Sequence, residues 1–183
     1  MKNNLVRAYA SANAVGRINL IYRNYATFLG VVDSRTDGLV YLIENEKATN
    51  RRHANGDTGI RVQKSTISDP TGDTATGNVM TREALIACDF SGGVLDGTDR
   101  GELFRKEAFV LKAMRRDYQL YIQQLGSLGD REREIFLCYI EGKKTIDDLA
   151  DELGIEYCSV RKKLYRARLK VRDLMIDYME GRV

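Results

Sequence analysis

The sequence predicts a mainly α fold that ends in a helix-turn-helix. Three observations carry that expectation. Proline occurs once, at Pro70, tryptophan is absent, and good helix formers (Ala, Leu, Glu, Lys, Arg) are abundant. Apolar residues recur at helical spacing over most of the 183 residues. Near the C-terminus, KTIDDLADELGIEYCSVRKKLYRARLKVRDLM (Lys144 to Met175) reads as a short acidic helix, a tight turn and a long basic helix.

In chain order, the first helical zone is expected from about Asn4 to Leu29, on Leu5, Tyr9, Ala12, Ile18, Ile21, Tyr25 and Phe28. A second helix is expected over Leu39 to Arg52, with Leu39, Leu42, Ile43 and Glu46 at i, i+3, i+4 and i+7. Asp37-Gly38 and Asn55-Gly56-Asp57 punctuate its ends. The stretch GIRVQKSTISDPTGDTATGN is the least regular. Ile60, Val62 and Ser65 to Ile67 there suit a short strand or extended arm. Asp69-Pro70 reads as a helix start, Asp as N-cap and Pro in the first turn, with the helix ending near Cys88.

SGGVLDGTDRGE, Ser91 to Glu102, reads as a linker, followed by a long helix to Leu125. Phe104, Leu111, Tyr118 and Leu125 recur every seven residues there, with Ala108 and Ile122 on the same side and Leu103, Val110, Met114 and Tyr121 widening the stripe. Two readings fit the pattern: a core helix of this domain, or the seam of an intermolecular coiled coil. The expected division is a helical N-terminal region over 1–90, a linker over 91–101, a connecting helix over 102–125 and a DNA-binding domain over 126–183.

The helix-turn-helix begins with a helix from Asp130 to about Glu141. Asp130, Glu132 and Glu134 sit early, where the helix dipole favours them. Ile135, Phe136, Tyr139 and Ile140 form its apolar stripe, and Gly142 ends it. Thr145-x-x-Asp148 resembles a capping box with Asp for the usual Glu. Ile146, Leu149, Ala150 and Leu153 then face inward. Gly154 is the turn residue, since a left-handed backbone costs glycine little. A third helix is expected from about Tyr157 to Tyr178, burying Val160, Leu164, Ala167, Val171 and Leu174.

Charge separates these helices. From Asp130 to Glu156 nine acids face four bases; from Tyr157 to Arg172 there are seven cations and no acid. Overall net charge is only +3, so the distribution is what points to nucleic acid. On the outer face of the third helix lie Tyr157, Cys158, Arg161, Lys162, Tyr165 and Arg168. Its N-terminal part is placed to enter the major groove of double-stranded DNA. Arg161, Lys162 and Tyr157 are the candidates for the groove, and Arg166, Arg168, Lys170 and Arg172 for phosphates. Thr145 can add a backbone contact beside its capping role. A single module of this kind offers few base contacts, so a homodimer or higher homo-oligomer is expected, with residues 1 to 125 as its interface.

Composition narrows the alternatives. Three dispersed cysteines (Cys88, Cys138, Cys158) give no disulfide framework, and one histidine (His53) leaves almost no material for Cys/His zinc sites or histidine-based triads. Asp57, Asp69 and Asp73 scatter around a polar loop without metal-ligand spacing, as turn formers do. No enzyme activity, metal or cofactor is expected. No apolar run approaches the roughly 18 residues of a membrane span, and no continuous apolar segment marks a signal peptide, so a cytoplasmic protein is expected.

The stretch LGDREREIFLCYIEGKKTIDDLADELGIEYCSVRKKLYRARLKVRDL resembles region 4 of sigma-70-type factors, in the short-helix form shared with extracytoplasmic-function sigma factors and LuxR-type regulators. GIRVQKSTISDPTG, Gly59 to Gly72, is similar to a segment upstream of such a domain in phage late-gene activators of the ArpU and RinA type. The resemblance implies a phage or prophage activator that binds late-operon promoter DNA and assists host RNA polymerase in the bacterial cytoplasm. Two positions depart from the pattern: Glu156 stands at a cap where Ser or Thr is common, and Cys158 replaces a polar residue. Nothing here resembles the core-binding and promoter-melting domain of a complete sigma factor. Two other readings share the same helices: a small-terminase-like subunit recognising DNA for packaging, and a sigma-like module binding polymerase.

Overall fold

The computed structural model describes residues 3–54, 56 and 70–181, and among these the regular structure is entirely helical. The elements are α1 (Asn3–Ser11), α2 (Ala14–Arg23), a 3-10 turn (Tyr25–Thr27), α3 (Phe28–Ala54), α4 (Pro70–Ala87), α5 (Gly101–Leu125), α6 (Asp130–Ile140), α7 (Ile146–Leu153) and α8 (Tyr157–Met179). The fold is mainly α. The expected arm at Ile60, Val62 and Ser65 to Ile67, the cap Asp69 and the loop acids lie outside the described residues.

Chain contacts separate two compact units, one of Met1–Val31 with Ala113–Val183, the other Val32–Lys112. The first unit is built around aromatic rings. Tyr25 and Tyr118 stack at 5.3 Å between centroids, Phe28 and Tyr118 at 5.5 Å, and Tyr9 meets Phe28 edge-on at 6.1 Å. Such contacts add geometric preference to the area they bury. Tyr9 and Asp117, both 1% exposed, form a hydrogen bond inside this core, and Arg116 donates to the same carboxylate at 3.0 Å. Burial first, and then the bond to Asp117, push the Tyr9 hydroxyl far above its ordinary range.

In the second unit, Leu39, Ile43, Phe104, Ala108 and Leu111 supply the core. Glu46 accepts the Asp99 N–H at 2.7 Å, the Arg100 N–H at 2.9 Å and the Arg100 guanidinium at 2.7 Å. Burial opposes ionisation there, yet these donors hold the carboxyl below its usual range. Asn50 donates to the Gly97 carbonyl at 2.9 Å, and Leu95 is buried, so the segment before α5 is fastened to α3.

Two expectations need correction, and of the two readings left open for α5 one holds. The single zone from Asn4 to Leu29 is two helices and a 3-10 turn. Asn13 caps α2 by accepting the Gly16 N–H at 2.8 Å, and Asn24 closes it by donating from its side chain to the Leu20 carbonyl at 2.8 Å. The helix expected to start at Leu39 begins at Phe28 and runs through Gly38, because Val32, Leu39 and Ile43 form one buried stripe across it. The heptad stripe of α5 is a core stripe: Phe104, Ala108, Leu111, Met114, Tyr118, Tyr121 and Leu125 are all buried within the chain, while Leu103 and Ile122 face outward. No open coiled-coil seam remains on that face.

Candidate nucleic-acid interface

The local sequence fixes each turn of the α6–α7–α8 unit. Gly129 precedes α6, and Asp130 and Glu132 occupy its first turn. Glu141 closes the helix, and Gly142 (φ 72°) takes the left-handed conformation that frees the chain to reverse. Thr145 then caps α7 in a complete capping box. Its side chain accepts the Asp148 N–H, and the Asp148 carboxylate accepts the Thr145 N–H at 2.8 Å and the hydroxyl at 2.8 Å. These two donors hold the Asp148 carboxyl below its usual range. Across α7, Lys144 pairs with Glu152, which raises the lysine.

Gly154, at φ 62° and ψ 35°, is the turn between α7 and α8. Its N–H and that of Ile155 return to carbonyls of α7, with Ile155 reaching Ala150 at 3.1 Å. A side chain at Gly154 would meet no neighbour, so conformation alone selects glycine. Glu156 is the N-cap of α8, extended at φ −62° and ψ 146°, and its side chain makes no capping bond.

One row of α8 is buried: Val160, Leu164, Ala167, Val171 and Met175. The sequence placed Leu174 in the last position; the structure puts Met175 there, four residues after Val171, and leaves Leu174 half-buried. Phe136 and Leu149 close the other walls of this core. Between the three helices runs a cleft of about 520 Å³, lined by Ile135, Phe136, Leu153, Ile155, Leu164 and Ala167, with Arg131, Glu132 and Lys163 at its edges.

The outward face of α8 gathers most of the predicted contact residues. Tyr157, Cys158, Arg161, Lys162, Tyr165 and Arg166 are exposed, as is Lys163. Tyr157 is 44% and Tyr165 59% exposed. Among the described residues, Arg161, Lys162, Lys163 and Arg166 have no hydrogen-bond or ion-pair partner. Four cations without counter-ions on about one and a half turns make a strongly positive surface with adjacent aromatic rings. Such a surface attracts the phosphate backbone and can reach acceptor groups on base edges.

The remaining predicted residues sit elsewhere. Thr145 is exposed at the start of α7. Lys170 donates to the Ser127 carbonyl at 2.5 Å, and Arg172 to Asp173 at 2.8 Å. Arg168 is half-buried and turned toward α2: it donates to Asn19 Oδ1 at 2.9 Å and lies 4.2 Å from the Tyr22 ring centroid. Tyr22 in turn stacks on Phe136 at 6.0 Å. Burial raises the Tyr22 hydroxyl, and Arg168 partly offsets that. Sequence reasoning missed Asn19 and Tyr22 as supports of α8. They precede Arg168 by well over a hundred residues, so no local pattern could reveal them.

No curated protein and no solved structure matches the chain. Residues 118–171, which span the end of α5, all of α6 and α7 and most of α8, match the model of the family described as Sigma-70, region 4. This part of the chain is therefore a sigma-70 region 4 helix-turn-helix, a DNA-binding module of the transcription machinery.

Proposed function

We propose that the protein is a sequence-specific regulator of transcription. In this reading it is a phage or prophage late-gene activator of the ArpU and RinA type, working on promoter DNA with host RNA polymerase in the bacterial cytoplasm. The observation that carries the reading is the exposed, unpaired cluster Arg161, Lys162, Lys163 and Arg166 on the helix that follows Gly154. In a helix-turn-helix that helix enters the major groove, its first turns reading bases and its later cations neutralising phosphates. Tyr157, Cys158 and Tyr165 complete the contact surface, Thr145 lies at its edge, and the resemblance of Gly59 to Gly72 supports the late-gene assignment. Residues 1–125 provide the interface for a homodimer or higher oligomer, with 1–90 as an N-terminal region and 91–101 as the stretch before the connecting helix.

Selection of bound DNA from a randomised library, followed by transcription in vitro with bacterial polymerase on the selected sites, tests the proposal. A recurrent motif and stimulated transcription are expected. Binding without sequence preference, or no effect on transcription, would overturn it. Light scattering on the free and DNA-bound protein reports the oligomer, and a strict monomer in both would remove that part.

The apolar cleft between α6, α7 and α8 favours a second reading, in which the module binds polymerase itself. Its six apolar lining residues suit a protein side chain better than a phosphate. Capture of purified polymerase by this protein in the absence of DNA would support that reading; capture that requires DNA would not.

A further inference from the structure

On the strength of the DNA-binding reading above, we propose that Glu156 reads a base: its carboxylate accepts the exocyclic amino group of a cytosine in the major groove. Glutamate is a poor N-cap, and this one does not act as a cap. The Glu156 carbonyl takes the first helical bonds, from Ser159 N at 2.8 Å and Val160 N at 3.2 Å, while its side chain makes none. At the start of α7 the contrast is plain, since Thr145 there is fully engaged by Asp148. The Glu156 side chain is exposed and has no cation partner among the described residues, although four free cations follow on the same helix. It stands at the end of α8 that leads into the groove.

An acid in that place is selected by what the groove can offer it. Phosphates repel it, so it cannot serve as a backbone anchor. The major groove presents only two amino donors, N4 of cytosine and N6 of adenine. Adenine sets the N7 acceptor beside its amino group, where it opposes a carboxylate. Cytosine has only a C–H beside its own. Carboxylate and cytosine therefore match, and Arg161 and Lys162, about one and a half turns later, supply the positive charge that keeps the acid tolerable near DNA.

The test is library selection on the full chain and on Glu156→Ala and Glu156→Gln. Wild type is expected to select cytosine at one position of the site. Glu156→Ala should lose that preference by roughly tenfold or more and keep the others, while Glu156→Gln should turn the position toward adenine. Replacing the selected cytosine with N4-methylcytosine blocks the groove-facing hydrogen without breaking the base pair. It should weaken wild type as much as Glu156→Ala does, and cost that variant nothing further. A site in which Glu156→Ala leaves every preference intact, or tightens all sequences alike, overturns this assignment and leaves DNA binding standing. Absence of any selected site overturns both.

Discussion

The guanidinium carbon of Arg168 lies 4.2 Å from the centroid of the Tyr22 ring, while Nη2 of the same group donates to Asn19 at 2.9 Å. A cation halfway along the basic helix is thus turned away from the exposed cluster of Arg161, Lys162, Lys163 and Arg166 and onto α2. Tyr22 passes the contact on to Phe136, so one stacked column links α2, α6 and α8.

Arg168→Ala is therefore expected to lower stability by about 1–2 kcal/mol, the range of a partly desolvated cation–π contact with one charged hydrogen bond. Asn19→Ala should be less than additive with it. The salt dependence of DNA binding distinguishes this from a phosphate contact. Its slope should stay the same in Arg168→Ala, whereas loss of a phosphate contact lowers it by about 0.9.

Arg161 is the opposite case, exposed and without a partner. Arg161→Ala is expected to leave thermal stability unchanged, cost about 1–3 kcal/mol of affinity for the preferred site and relax sequence preference. Arg166→Ala should weaken all sequences alike and reduce the salt slope by about one contact. Titrations at several salt concentrations on selected and scrambled DNA separate the two.

The capping box predicts a pH signature. Thr145→Ala is expected to cost about 1 kcal/mol by chemical denaturation. Asp148 is held below its ordinary value of 3.8, so its stabilising effect is complete above that pH and is lost as pH falls through the folded value. The gap in stability between wild type and Asp148→Asn should be constant from neutral pH to about 4 and close below it.

Two buried tyrosines should respond in opposite directions. Tyr9→Phe removes the donor from a carboxylate 1% exposed and is expected to cost about 1–3 kcal/mol. Tyr121 is equally buried, but among the described residues nothing bonds its hydroxyl. Tyr121→Phe is expected to be neutral or to raise stability by up to about 1 kcal/mol. Urea denaturation of both variants checks the pair.

What the sequence revealed depended on how local the cause was. Thr145, Asp148 and Gly154 act within a few residues of themselves, and their cap and turn could be recognised from residue type and spacing. The same holds for the buried row of α8, apart from the one-residue shift to Met175, where two apolar neighbours left the last turn ambiguous. Gly38 misled because a weak helix former was read as a boundary, whereas buried residues on either side carry α3 through it. Asn13 and Asn24 passed unnoticed among residues that fit one continuous stripe. The orientation of Arg168 was out of reach, since it depends on side chains 146 and 149 positions earlier.

The contact between Asn19 and Arg168 spans 149 residues, and that between Tyr9 and Asp117 spans 108. During synthesis at about 5–20 residues per second, α2 waits roughly 7–30 s before the helix it braces has been made. Val32–Lys112, a compact unit of its own, lies entirely between them in the chain. Asn19, Tyr22 and Tyr9 therefore meet their partners only after most of the intervening chain has been made.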